Sequence, residues 1–262
     1  MPRRIVLHAG FHKTGTSTIQ ATLRENRKAL KKHVALRLRG QMKDLIHATR
    51  GYSTWRDPIT LTKAQLRFEA LLAGLHGMPR RTLVISAEEL AGHLPGRGDL
   101  ADYSAAPILL YTFWQSAKAA YPDTEFLVYL STRDPDAWLP SAYWEHVKAS
   151  SMTLSYDAFV ERYAGAADLD DMVSQITSRM PCPVHHARLE ACQDSPLGPA
   201  DPLLNLCDIP PNLRSDLIPV HSANARQGDD VLAALIEANR TIEDREKRKV
   251  AKQAILSKAE QT

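Results

Sequence analysis

Short hydrophobic runs alternate with longer segments of helical periodicity along most of the chain. Runs bounded by Gly, Pro and polar residues predict strands over 5–7, 34–38, 82–86, 125–132 and 184–189, of which 5–7 and 82–86 should be buried. Apolar residues recur every three or four positions, which predicts helices over 16–30, 61–75, 107–120, 135–148, 156–164, 168–179 and 229–262. Strands that alternate with helices predict an α/β fold, a three-layer sandwich whose central, mostly parallel sheet carries helices on both faces.

Three segments lie outside this pattern. Residues 40–57 are polar and interrupted by Gly, and they stay unassigned; 92–104 and 196–219 are rich in Gly or Pro and predict surface loops. The length of 262 residues and the 44% hydrophobic content fit one globular domain over 1–262. The charged helix predicted over 229–262 would pack on that domain or on a partner subunit, and the second case would give a homodimer.

Charge and cysteine content limit the classes of function. A formal net charge of +3 is too small to predict a nucleic-acid-binding protein. Cys182, Cys192 and Cys207 lack a CxxC spacing, so they predict neither a disulfide framework nor a zinc site. No apolar run reaches the roughly 18–20 residues of a membrane span, and the first strand begins too close to Met1 for a signal peptide. We therefore expect a cytoplasmic protein without a membrane span.

The turn after the first predicted strand has the composition of an anion site. Gly10 and Gly15 bracket the turn, and Lys13 supplies a mobile positive charge. The hydroxyl side chains of the same stretch are Thr14, Thr16, Ser17 and Thr18. Backbone N–H groups and the positive end of the following helix converge at such a turn, so it suits a phosphate or sulfate group.

This turn differs from the usual ATP-binding loop. That loop has the form G-x-x-x-x-G-K-[ST], with Gly directly before the Lys. Here His12 stands where that Gly is required, Leu7 stands where the first Gly belongs, and Gly15 follows Lys13 by two residues.

A second candidate phosphate contact follows the strand predicted over 125–132. Arg133 comes directly after this strand, and Ser141 lies eight residues further on, two turns into the next helix. The planar fork of an Arg donates two parallel hydrogen bonds to a phosphate. Because the carboxyl ends of parallel strands meet at one edge of a sheet, Arg133 and the Lys13 turn should lie on the same edge.

Together these two motifs resemble those of sulfotransferases that use 3′-phosphoadenosine 5′-phosphosulfate (PAPS). The string His-x-Gly-x-His-Lys-Thr-Gly-Thr-Ser over 8–17 is similar to the 5′-phosphosulfate loop of the bacterial branch, and Arg-x-Pro … Ser-x-Tyr over 133–143 to the 3′-phosphate segment. The resemblance covers at least 5–20 and 125–144. It implies a P-loop α/β fold and a transfer of the sulfuryl group onto a hydroxyl, or less commonly an amine, of a carbohydrate or small metabolite.

The resemblance also assigns roles to residues. Lys13 would stabilise the leaving phosphate, the 14–18 segment would hold the 5′-phosphate, and Arg133 with Ser141 would hold the 3′-phosphate. Arg226 would add a contact from the C-terminal loop, although the Lys of the relatives' Arg-Lys-Gly segment is absent here. Thr18 stands where many relatives have an adenine-stacking Trp. No metal is implied.

The base that takes the acceptor's proton has three candidates. Glu88 is the first, because Ser86-Ala87-Glu88 follows a strand and is similar to the Ser-x-Glu of carbohydrate-modifying relatives. His12 and His8 flank the Lys13 turn and remain alternatives. The acceptor itself is undetermined, and the regions near 40–60, 90–105 and 145–165 should contact it. Two other functions stay open: an ATP-dependent small-molecule kinase, and a nucleotide-binding scaffold without catalysis.

Overall fold

A computed structural model of the protein describes residues 1–75, 81–220 and 228–259. Its centre is one parallel sheet of five strands. The strands are β1 Arg4–His8, β2 Val34–Leu38, β3 Thr82–Ser86, β4 Glu125–Thr132 and β5 Val184–Arg188. Their order across the sheet is β2-β3-β1-β4-β5, and every neighbouring pair is parallel. The predicted α/β class and the parallel sheet are therefore confirmed.

Helices cover both faces of this sheet. Those that the structure describes are α1 Thr16–Glu25, α2 Arg27–Leu30, α3 Lys43–Trp55, α4 Pro58–Ala73, α5 Ala106–Ala120, α6 Pro135–Ala149, α7 Tyr156–Tyr163, α8 Leu169–Arg179, α9 Asp201–Asn205, α10 Pro211–Ser215, α11 Asp229–Thr241 and α12 Arg245–Ala259. Successive strand residues point to opposite faces. Accordingly Ile5 and Leu7 of β1 pack in a core with α3–α6, α8 and α11, while Val6 packs in a second core with α1, α2 and α9.

The predicted helix over 16–30 is interrupted at Asn26. The Asn26 amide donates to the carbonyls of Thr22 and Ile218, and its side-chain oxygen accepts from the Ile218 N–H at 2.8 Å. Through these bonds the Asn26 side chain links the end of α1 to a loop that is distant in sequence. The unassigned region 40–57 contains α3, and α4 begins at Pro58, three residues before the predicted start, because Asp57 accepts hydrogen bonds from the N–H groups of its first turn.

The prediction of a single helix over 229–262 is wrong, since the described part of this segment forms two helices, α11 and α12. Ile242 is extended, and Asp244 accepts from the Lys247 N–H at 2.8 Å and so starts the second helix. Leu235 of α11 is fully buried against the chain's own core.

Lys252 fixes α12 to the end of α6. Its Nζ donates to the carbonyls of Val147 and Ser150 at 2.6 and 2.7 Å and to Asn239 Oδ1 at 2.9 Å. A positive charge at a helix C-terminus is favourable because it complements the helix dipole. Burial nevertheless lowers the pKa of Lys252 to about 8. Within the described ranges, none of the helices has both the length and the apolar character that a bilayer crossing requires.

The strand order leaves a crevice at the carboxyl edge of the sheet. The chain leaves β1 toward β2 on one side and leaves β4 toward β5 on the other, although β1 and β4 are neighbours. Loops that part in this way open a ligand-binding crevice in parallel α/β sheets.

Candidate active-site cleft

A cleft of about 980 Å³ opens at this edge and receives residues from the segment after every strand. In sheet order these residues are Arg39 after β2, Glu88 after β3, Lys13 after β1, Arg133 after β4 and Leu189 after β5. Neighbouring strands lie about 4.8 Å apart, so the rim from β2 to β5 spans roughly 19 Å. The cleft is therefore elongated, with Lys13 at its middle.

The N-terminus of α1 opens into the cleft without a side-chain cap. Gly15 precedes the helix in the left-handed conformation, at φ 91°, and no acidic residue lies in the first turn. Thr16, Ser17 and Thr18 line the cleft, and the buried Thr16 Oγ1 has no hydrogen-bond partner in the described part of the chain. Free N–H groups and an orphaned hydroxyl at a positive helix end form a cradle for an anion.

At the base of this cradle there is no room for a side chain at Gly10. A Cβ atom added there would lie 2.4 Å from Thr16 Oγ1 and 2.8 Å from Ser131 Oγ.

Thr14, which was predicted to bind the phosphate, does not line the cleft with its side chain. Its side chain is fully buried, donates to the Phe11 carbonyl at 2.6 Å and lies 2.7 Å from Ser131 Oγ. The Thr14 hydroxyl thus shapes the turn, and only its backbone is left for a ligand.

Lys13 is held over the cleft by a carboxylate that the sequence analysis missed. Its Nζ lies 3.4 Å from Glu145 Oε2, and Lys148 lies 3.2 Å from the same oxygen. Burial alone would raise the pKa of Glu145, but the charges of Lys148 and Lys13 outweigh it and lower that pKa. Glu145 lies four residues after Ser141 on α6, so the helical period could have placed both on one face.

Arg133 links the β4 end to the Lys13 turn. Its Nη1 donates to the Lys13 carbonyl at 3.1 Å, and its Nε lies 3.7 Å from Glu190 Oε1. Ser141 lines the same cleft. Both predicted residues therefore line the cleft into which the α1 N-terminus opens. Arg226 lies outside the described residues.

The two adjacent glutamates after β3 have different surroundings: one is paired with arginines, and the other lines the cleft. Glu89 is 1% exposed, and its Oε1 accepts from Arg39 Nε at 2.8 Å and from Arg50 Nη2 at 2.6 Å. Glu88 is half-buried and lines the cleft. Burial and the neighbouring Glu89 charge raise the pKa of Glu88 to about 7, even though Arg39 and Lys13 lower it. Such a value suits a residue that exchanges a proton near neutral pH.

His12 also reaches the cleft, but its surroundings favour a neutral ring. The Tyr103 hydroxyl accepts from the His12 backbone N–H at 3.1 Å and lies 3.2 Å from Nδ1, so its own hydrogen can point at that nitrogen. This arrangement leaves the His12 proton on Nε2. Burial, followed by the charges of His93, Arg50 and Arg97, keeps the His12 pKa well below its ordinary value.

His8 lies beneath the cleft. It is fully buried, its Nδ1 is 2.8 Å from Ser86 Oγ, and burial lowers its pKa to about 3. It is absent from the cleft lining, so an acceptor in the cleft would not reach it.

His12, Glu88 and Glu89 offer donor atoms within 4.8 Å of one another, which meets the distance requirement for a metal. The charges around them do not suit a cation, because Glu89 already binds two arginines and Lys13 lies close to Glu88. We therefore assign no metal to this cluster.

No protein-family model matches the sequence, and no curated protein is significantly similar to it. The family resemblance therefore rests on the two motifs and on the cleft that contains them.

Proposed function

We propose that this protein is a PAPS-dependent sulfotransferase. The observation that carries the proposal is the pair of anion sites on one rim: the uncapped N-terminus of α1 with Lys13, and Arg133 with Ser141. A nucleotide with phosphates at both its 5′ and 3′ positions needs two such sites close together. The orphaned Thr16 hydroxyl and the Ser141 hydroxyl in the cleft lining supply further donors, so the residues present fit the donor nucleotide.

Lys13 and the α1 cradle would act mainly by electrostatic stabilisation. Bound in the cleft, PAPS would supply a sulfuryl group whose bond to the 5′-phosphate oxygen breaks while a bond to the acceptor oxygen forms. The electron pair of the broken bond stays on the phosphate oxygen, where Lys13 offsets the charge. In-line transfer of this type depends chiefly on positioning and on preorganised charge.

Glu88 would accept the proton of the attacking hydroxyl. It lies on the β3 side of Lys13, opposite Arg133, so the acceptor would occupy the β2–β3 half of the cleft. The two histidine alternatives are weaker: His12 has its Nδ1 engaged by Tyr103, and His8 does not reach the cleft. His12 is better suited to donate a hydrogen bond from Nε2.

The rim charges favour sulfuryl transfer over the kinase alternative. A kinase needs a carboxylate to hold Mg²⁺ beside the transferred phosphate. Here β4 is followed by Arg133, and the carboxylates beside Arg133 and Lys13, which are Glu190 and Glu145, are already paired with basic side chains. A nucleotide-binding scaffold without catalysis stays the second alternative, and turnover distinguishes it.

We also propose a cytoplasmic location. All three cysteines are free thiols, two of them buried, which suits a reducing compartment. We propose no nucleic-acid partner. The homodimer stays a prediction; α11 packs on α6 of its own chain, and Lys252 joins α12 to the end of α6.

Ligand-induced thermal stabilisation tests the proposal. Adenosine 3′,5′-bisphosphate (PAP), the expected product, should raise the Tm by several degrees at a hundredfold excess over its Kd, because a ligand that binds only the folded state contributes about 2.7 kcal/mol there. ATP with Mg²⁺ should give a clearly smaller shift. Equal or greater stabilisation by ATP with Mg²⁺ would refute the assignment and favour the kinase.

A further inference from the structure

The acceptor half of the cleft is lined by hydrogen-bond donors. Arg39, Arg50 and Arg97 contribute three guanidinium groups, and His93 lies beside them. The His93 Nδ1 accepts from the Leu94 N–H at 3.0 Å, so its ring donates from Nε2, as the His12 ring does. We refer to Arg50, Arg97, His93 and His12 as the donor cluster.

The carboxylates of this half are distributed unevenly among the arginines. Glu89 accepts from both Arg39 and Arg50 through Oε1, while its buried Oε2 has no partner among the described residues, and the Glu88 charge also acts on Arg39. Arg97 pairs with no carboxylate among the described residues; its Nη1 donates only to the Ala149 carbonyl, at 3.2 Å. The Glu145 charge acts on Arg97 without forming a salt bridge, so among the described residues Arg97 is the guanidinium of the donor cluster that has no paired carboxylate.

Two of these guanidinium groups also have unused donors. The Nε atoms of Arg50 and Arg97 are buried from solvent, and neither finds an acceptor in the described part of the chain. A buried donor without a partner is costly. Burial and the nearby Arg50 charge lower the pKa of Arg97, although the Glu145 charge opposes them. An anion placed between Arg50 and Arg97 would relieve both penalties.

We infer that the acceptor carries its own anionic group, a carboxylate or a phosphate, and that Arg50 and Arg97 bind this group while its hydroxyl faces Glu88 and Lys13. That the bound anion belongs to the acceptor depends on the proposed function, whereas the existence of the anion site does not. A neutral sugar would leave the donor cluster unsatisfied, so recognition of the anion would exclude neutral acceptors.

Calorimetry tests the anion site without any turnover. Inorganic phosphate and acetate are titrated, at constant ionic strength, into protein saturated with PAP, which blocks the two phosphate sites of the nucleotide. We expect saturable binding of at least one anion, at least tenfold weaker in Arg97→Gln. Arg24→Gln, which removes an exposed arginine of α1 far from the cleft lining, should bind as the wild type does. The anion that binds more tightly identifies the acceptor as carboxylated or phosphorylated.

A second variant tests Arg50 without leaving an unpaired buried carboxylate, which could itself destabilise the fold. Arg50→Gln alone would leave the buried Glu89 with one partner fewer, so it is combined with Glu89→Gln, which removes the carboxylate as well. This double variant should also lose at least tenfold in anion affinity. Binding of neither anion, or affinities unchanged in both variants, would overturn the inference.

The inference and the proposed function fail separately. If PAP does not bind, the proposed function is in error, and the titration is repeated on Lys13→Ala, Arg133→Ala protein, which lacks the other two anion contacts. Anion binding that still depends on Arg97 would then support a basic ligand site in a protein of different activity.

Discussion

Replacing Lys13 with alanine is expected to lower kcat by about 10²–10³-fold, the usual effect of removing one preorganised group that stabilises charge in the transition state. Lys13 lies at the middle of the rim, between the β4 side proposed for the nucleotide and the β3 side that carries Glu88. In the proposed reaction its charge is needed most when the bond to the 5′-phosphate breaks, so kcat should fall more than the affinity for PAP.

The measurement is the rate of PAP release from PAPS with the best acceptor of a screened panel. Lys28→Ala, which removes an exposed lysine outside the cleft, is the matched control and should keep full activity. Lys13→Arg should recover only part of the rate, because a guanidinium differs from an ammonium in shape and reach. Wild-type turnover by Lys13→Ala would remove Lys13 from the catalytic role.

Replacing Glu88 with glutamine should lower kcat/KM by about 10²–10⁴-fold, the range of a general base. With a Glu88 pKa of about 7, the wild-type kcat/KM should rise as the pH increases through 7 and level off above it, because only the ionised carboxylate accepts a proton. The Glu88→Gln protein should lack this rise.

The same substitution should stabilise the fold at pH 8. Glu88 binds its proton more tightly in the folded protein, since its pKa rises from 4.5 to about 7. Its contribution to stability is therefore greatest below pH 4.5 and declines as the pH rises toward 7. At pH 8 glutamine should gain up to about 3 kcal/mol in the free energy of unfolding, reduced by the partial exposure of the side chain.

Urea unfolding at pH 5 and pH 8, with the exposed Glu25→Gln as control, measures this difference. A loss of activity together with a gain of stability would separate a catalytic role from misfolding. Full turnover by Glu88→Gln would instead transfer the role of base to His12, since His8 lies outside the cleft lining.

The parts of the fold that follow from local sequence were predictable. Strand β1, the Lys13 turn and α1 are contiguous, so their composition predicts an anion site, and parallel connectivity brings Arg133 to the same rim. Helix α3 was missed because Gly51 lies inside it, and a Gly in a helix interior normally weakens the prediction. The break between α11 and α12 lies at the extended Ile242 and the Asp244 cap, and the Lys252 contact that fixes α12 to α6 joins residues about a hundred positions apart, which local sequence does not show.

The donor cluster could not be predicted for the same reason. Arg50 comes from α3 and Arg97 from the loop that follows β3, so only the tertiary fold places them together. Glu88 and Glu89 are indistinguishable in sequence, and the packing of the short turn Glu88–Ala91 decides which carboxylate is buried against arginine and which lines the cleft.

The central claim is that residues 13–18 and Arg133 bind the two phosphates of one nucleotide, and calorimetry with PAP and adenosine 5′-monophosphate on wild-type and Arg133→Ala protein tests it most directly. Wild-type protein should prefer PAP, and Arg133→Ala should weaken PAP about 10–100-fold while changing the monophosphate less than about threefold, because in the proposed complex Arg133 contacts only the 3′-phosphate. Equal losses for both ligands would show that Arg133 acts only by supporting the Lys13 turn through its bond to the Lys13 carbonyl. That result, or a wild-type protein indifferent to the 3′-phosphate, would contradict the account.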